Sequence, residues 1–220
     1  MAVSRGRGQH AGLSRQAILR AAVRLADREG LAALSMRRLG AELGVEAMAV
    51  YHYFPNKGAL LDGIVEEVAA EVPAPQFDSS DWREGLQAYA RALLDTLNAH
   101  PNLILLAFSR PATTPRNLHA MEALLGSLRT AGFEPRQALD MVYALNGLVL
   151  VHAALRAGVG GAPAPHGEPG QTSRLSELPP ETYPLLAEAA KASATRGPTA
   201  RFEFALDALL TGVAACRNAS

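Results

Sequence analysis

An all-α fold, with a small three-helix unit ahead of a larger helical body, follows from the way apolar residues recur along this 220-residue chain. They return at three- and four-residue spacing from Ser14 to Glu71 and again from Asp81 to Cys216, the period of helices that bury one face. The alternation that marks a strand is absent throughout. The runs are punctuated by residues that start and stop helices. Ser14, Ser35, Asn56 and Thr114 suit N-caps, Pro115 and Pro135 suit first helical positions, and Gly30, Gly44, Gly132 and Gly158 suit helix ends.

The first helix begins after Ser14, with Ile18, Ala21, Ala22 and Leu25 in one stripe and Arg15, Arg20, Arg24 and Arg28 mostly off it, and ends at Gly30. Residues 35 to 54, SMRRLGAELGVEAMAVYHYF, then form a helix-turn-helix pattern. Ser35 caps a predicted helix over 36–43 whose Met36, Leu39 and Leu43 share a face. Gly44 permits the left-handed turn, Val45 anchors it, and Ala41 is the small residue expected where the two helices come closest. The second helix, from Glu46 or Ala47 to Tyr53, turns Val50 and Phe54 inward and leaves Ala47, Met48, Tyr51 and His52 facing out. Pro55 stops it, and Asn56 opens a helix to about Glu71 carrying Leu60, Leu61, Ile64, Val65 and Val68 before VPAPQ interrupts the chain.

The body begins with a long helix from Asp81 to about Ala99. Pro101 starts a short apolar helix to Ser109, Thr114 and Pro115 open a third that Gly132 closes, and Pro135 opens a long one to about Ala157. Residues 158–180 are rich in glycine and proline and read as a long loop. The last helices are expected from about Thr182 to Ala194 and from Thr199 to Cys216. The helix at 135–157 is apolar nearly all round, and the final helix carries Phe202, Phe204, Ala205, Leu209 and Val213 in a broad stripe. A second copy of the chain would cover both, which predicts a homodimer through the helices at 135–157 and 199–216.

Charge singles out the helix-turn-helix unit. The chain balances 21 basic against 21 acidic residues. Its first sixty residues nevertheless hold nine Lys/Arg against four Asp/Glu, leaving an equal acidic excess in the remainder. A basic module on an acidic body is the electrostatic footprint of a protein that meets nucleic acid with one end. Ala47 and Ala49 would let the backbone of the second helix approach a major groove, while Met48, Tyr51 and His52 face the duplex and Arg37 and Arg38 reach a guanine or a phosphate. Residues 1–12, MAVSRGRGQHAG, read as a flexible basic arm.

Other classes find little support. There is no Gly-x-Ser-x-Gly, HExxH or phosphate loop, so an enzyme is not expected. Cys216 is the one cysteine, which precludes an internal disulfide. His100, His119 and His152 are too scattered for metal spacing and read as structural or surface residues, so neither metal nor cofactor is expected. No uninterrupted apolar stretch of about 18 residues suggests a membrane span, and a cytoplasmic protein is expected.

These residues resemble the TetR family of one-component bacterial repressors, most specifically in LSRQAILRAAVRLADREGLAALSMRRLGAELGVEAMAVYHYFPNKGALLDGI. The body looks like that of the tetracycline-repressor class, on SRP at 109–111, AGF at 131–133, YPLLAEAA, and RFEFALDALLTGV. The resemblance implies a DNA-binding domain at 13–55 and a ligand-binding and dimerisation domain at 56–220. It further implies a homodimer on a palindromic double-stranded operator, released when a small molecule in the body shifts the helix that begins near Lys57. By carry-over, Arg37 would contact a base, Tyr51 and Lys57 would hold phosphates, and Ala47 and Met48 would face bases. Leu106 stands where the tetracycline repressor has a magnesium-ligating histidine, and Leu124 about where it has a polar amide, so a tetracycline–magnesium ligand is not expected. The cavity would instead be lined by Trp82, Tyr89, Leu93, Leu103, Leu106, Phe108, Met121, Leu124, Leu128, Tyr143 and Asn146, a set suited to an uncharged, largely apolar effector. The alternative is a DNA-binding protein with no effector.

Overall fold

The computed structural model describes residues 13–75, 82–110, 114–158, 175, 177–193 and 197–218. The basic arm, the Asp81 cap and most of the 158–180 loop lie outside them. Helices α1 (Arg15–Glu29), α2 (Met36–Glu42), α3 (Ala47–Tyr53) and α4 (Lys57–Ala69) make the head. Helices α5 (Trp82–Ala99), α6 (Ile104–Ser109), α7 (Pro115–Thr130), α8 (Pro135–Arg156), α9 (Pro184–Ser193) and α10 (Pro198–Asn218) make the body, and no strand occurs among the described residues.

Local sequence accounts for the ends. Ser14, Ser35, Asn56 and Thr114 each accept a hydrogen bond from a backbone N–H of the first turn they cap. Glu134 and Gln137 form a reciprocal capping box ahead of α8. Gly44, Gly132 and Gly158 follow α2, α7 and α8 with φ of 66°, 90° and 64°, conformations that side chains other than glycine rarely adopt.

Two apolar clusters result. In the head, Ile18, Ala21, Ala22 and Leu25 of α1 are fully buried with Leu39, Val50, Phe54, Leu60 and Ile64. The apolar face of α4, assigned to the body on sequence, thus packs within the head. Its Gly63 lies so close to α1 that an added Cβ would come within 2.7 Å of the Leu19 side chain. In the body, Leu86, Ala90 and Leu94 of α5 meet Leu128 of α7, Val142, Leu145 and Val149 of α8, and Phe202, Leu206 and Leu210 of α10. Trp82 packs edge-on against Phe133 with ring centroids 4.9 Å apart.

The contact between α2 and α3 corrects one expectation. Ala41 is exposed, and the closest approach is at its neighbour Gly40, where an added Cβ would lie 2.8 Å from the Val45 carbonyl oxygen and 3.2 Å from the Ala47 nitrogen. Both neighbours are backbone, and Gly40 also accepts the turn's hydrogen bond from Val45 N–H at 2.9 Å. Gly40→Ala should therefore lower stability by about 1–3 kcal/mol through overpacking, although alanine in an open helix would be favoured by roughly 1 kcal/mol. Thermal unfolding of the variant checks this: a Tm equal to or above that of the parent would show that the turn can yield.

Candidate functional site

The outward side of α3 is the candidate nucleic-acid interface. Burial of Val50 and Phe54 against α1 and α4 fixes the rotation of this short helix. The opposite side then presents Met48, 71% exposed, and Tyr51, 43% exposed, with His52 also exposed and Ala47 and Ala49 partly so. These residues come together as the sequence predicts. Tyr53 does not join them: its hydroxyl donates to the Leu13 carbonyl at 2.8 Å and ties the start of α1 to the end of α3. The guanidinium of Arg15 lies 4.5 Å from the centroid of the Phe54 ring, which braces the same corner. Lys57 is exposed at the first position of α4, just past the cap made by Asn56.

The two arginines of α2 differ. Arg37 is exposed and makes no hydrogen bond or ion pair among the described residues. Arg38 donates to both oxygens of Glu29, the shorter bond being 2.7 Å, and lies 3.8 Å from Glu42, which is itself held by Arg28. The hydrogen bond from Arg38 holds the Glu29 carboxyl below the usual carboxylate range. Arg37 is thus the freer cation, while Arg38 is committed to the α1–α2 contact.

The proposed cavity lining is brought together only in part. Leu103 and Leu106 are buried in the head's cluster, because the short segment from Pro101 to Ser109 turns one side toward α1 and α4 while Ile104 on its other side joins the body's cluster. Phe108 and Tyr143 are 58% and 64% exposed, each on the side of its helix turned away from the core. Trp82, Leu124 and Leu128 are buried in the body core, and Tyr89, Leu93 and Met121 pack half-buried against it. Asn146 accepts a hydrogen bond from the Tyr89 hydroxyl at 3.1 Å, a polar pair set in apolar surroundings. Burial pushes the Tyr89 phenol up, with partial relief from Asn146, so it stays neutral. Helical periodicity alone does not say which of two cores each residue of a short helix feeds, and here Leu103 and Leu106 feed the head's.

Sequence reasoning also missed the junction between head and body. Arg110, the middle residue of the SRP element, donates to the Gly58 carbonyl at 3.2 Å and pairs with the Asp62 carboxylate, gripping the start of α4. Asn102 donates to the carbonyls of Ala26 and Asp27 at the end of α1. His100 lies between Asp27 and Glu71. The SRP element and Pro101 were the available signals, but neither names its partner.

Comparison with known proteins places these features in a family. Residues 18–64 match the profile described as bacterial regulatory proteins, tetR family, and residues 74–217 match the tetracyclin repressor-like C-terminal domain. The HTH-type transcriptional repressor DrrR1 of Streptomyces coeruleorubidus is 38% identical over 146 residues, covering 66% of this chain and 54% of that protein, so the chain spans little more than half of DrrR1's length. The tetracycline repressor protein class A from transposon 1721 of Escherichia coli is 33% identical over 201 residues, 90% of this chain and 88% of that one. The crystal structure of the Streptomyces coelicolor TetR family protein ActR in complex with actinorhodin superposes with a TM-score of 0.81 at 29% identity, covering 94% of this chain and 99% of that chain. With a helix-turn-helix head and a helical body matched in order over most of its length, the chain belongs to the tetR family of bacterial regulatory proteins.

Proposed function

We propose that the protein is a dimeric repressor that binds a palindromic operator and leaves it when a small molecule enters the body. The observation that carries this reading is the outward face of α3, where Met48, Tyr51 and His52 stand exposed, together with the unpaired Arg37 of α2, on a head whose inward residues are all committed to packing. Met48, Ala47 and Ala49 would meet base edges, and Tyr51, His52 and Lys57 would meet phosphates. Contacts of the second kind position the head without reading sequence. The protein is proposed to act in the cytoplasm, in keeping with the family.

The dimer reading rests on uncovered apolar surface. Tyr143 and Val151 of α8 and Phe204 of α10 are 64%, 48% and 68% exposed. By length and composition α8 could span a membrane, yet it packs against α5, α7 and α10 inside the body. A second copy covering the outer sides of α8 and α10 would remove this surface from water and set two heads at half-sites one helical turn apart.

The effector is proposed to be uncharged and largely apolar, held near Tyr89, Leu93, Met121 and Asn146, where the neutral Tyr89–Asn146 pair would orient a polar substituent. The complex of ActR with actinorhodin supports a small-molecule ligand for this chain. The side chains of Leu106 and Leu124 have no atom that ligates magnesium, so tetracycline with Mg²⁺ at micromolar concentration should leave the protein on its DNA; release in a gel-shift assay would overturn the proposed effector class.

Selection of bound duplexes from a random pool, with the mass of the protein measured in solution, tests the whole reading. A palindrome bound by a dimer is expected, and absence of enrichment would end it. On the selected duplex, Arg37→Ala should weaken binding about tenfold or more, the scale of a lost base or phosphate contact, whereas Arg38→Ala should weaken it less and lower Tm. Equal losses of affinity for the two would contradict the division of roles. Tyr143→Glu with Phe204→Glu should give a monomer by sedimentation with its helical content retained; a persistent dimer would place the interface elsewhere.

A further inference from the structure

His100 stands where three segments meet. It follows α5, and its ring lies between the end of α1 and the chain leaving α4, with Nδ1 2.9 Å from Asp27 Oδ2 and Nε2 3.0 Å from Glu71 Oε2. Its side chain is 12% exposed, against 27% for Asp27 and 49% for Glu71. A neutral imidazole has one N–H, so it can donate to one of these carboxylates while turning a lone pair toward the other; the imidazolium donates to both. The second oxygen of Asp27 is buried without a hydrogen bond, which leaves that carboxylate dependent on the ring. From these contacts we propose that His100 is a positioning residue, a proton-operated tether whose cation fastens α1 and the end of α4 to the body and whose neutral form must release one of them.

The ionisable groups that face the ring are Asp27 from α1 and Glu71 from the end of α4, and both favour the cation. The neutral Asn102 beside it holds the Ala26 and Asp27 carbonyls. Burial of the ring lowers its pKa, but the hydrogen bonds with Glu71 and Asp27 outweigh that, and the net direction is upward. A pKa raised on folding means that the tether contributes fully below the ordinary histidine value of about 6.5 and is lost as pH rises through the raised value. Mild acidification therefore tightens the junction.

The consequence for DNA rests on the regulator reading above. Arg110 grips the start of α4 and His100 holds its far end, so a movement of α4 against the body has to work against a contact that depends on a proton. The effector response would then carry a pH dependence set at the junction between head and body.

Two measurements on the full chain test the tether without DNA, so failure of operator binding would not be confused with failure of the tether. In an NMR titration with His100 assigned by its loss in His100→Gln, the midpoint should lie above about 6.5, and Glu71→Gln should lower it by roughly half a pH unit or more. Hydrogen exchange at residues 66–72, corrected for the intrinsic effect of pH, should be about threefold slower at pH 6 than at pH 8 in the parent and show no such difference in His100→Gln. A midpoint at or below the ordinary value, or the same pH dependence of exchange in the variant, would overturn the proposal. Should His100→Gln fail to fold, Glu71→Gln serves for the exchange comparison, because its half-exposed carboxylate can be removed with little loss of packing.

Discussion

Everything in this molecule depends on a core that crosses its one obvious boundary. Leu103 and Leu106 belong in sequence to the body, but they are buried with Ile18, Leu25, Leu60 and Ile64 in the cluster that holds the head together. Close-packed interiors do not deform smoothly, so a displacement of α6 must be felt by α4 and, through Phe54, by α3. The polar contacts around this seam are arranged at its ends: Asn102 and His100 hold the end of α1, and Arg110 holds the start of α4. Apolar burial makes head and body one mechanical unit, and hydrogen bonds set its register.

The surface ion pairs of the body are a different matter. Arg91 meets Glu203 through two hydrogen bonds of 2.8 and 2.7 Å, and Arg83 meets Asp207 at 2.6 Å, linking α5 to α10. Both pairs are substantially exposed, and exposed pairs contribute little net free energy. The α5–α10 contact is stabilised mainly by Leu86, Ala90, Phe202 and Leu206 beneath them.

Much of the fold was legible in the sequence because its signals are local. A serine, asparagine or threonine ahead of an apolar run caps a helix whatever lies elsewhere, and Gly44, Gly132 and Gly158 take positive φ for reasons settled within a few residues. The outward face of α3 was legible for the same reason: Val50 and Phe54 point one way, so Met48, Tyr51 and His52 point the other. What sequence alone could not settle depends on partners far along the chain. Nothing near Arg38 distinguishes it from Arg37 until Glu29 is brought beside it by the crossing of α1 and α2. Phe108 and Tyr143 carry the residue type of a cavity lining, but exposure depends on which helix packs on which side, and periodicity is silent on that. The exchange of Ala41 for Gly40 as the closest contact is a one-residue error in rotation, about 100° on a helix, enough to turn a buried position into an exposed one.

The hydrogen bond from Tyr53 to Leu13 has a practical side as well. It brings the point where α1 starts next to the point where α3 ends, so a probe at either position senses the other. If α3 meets DNA as proposed above, a charged label at Leu13 would stand near the duplex and add its own charge to any measured affinity. A label meant to report on binding without taking part in it belongs on the body, for instance at the exposed Leu185 of α9.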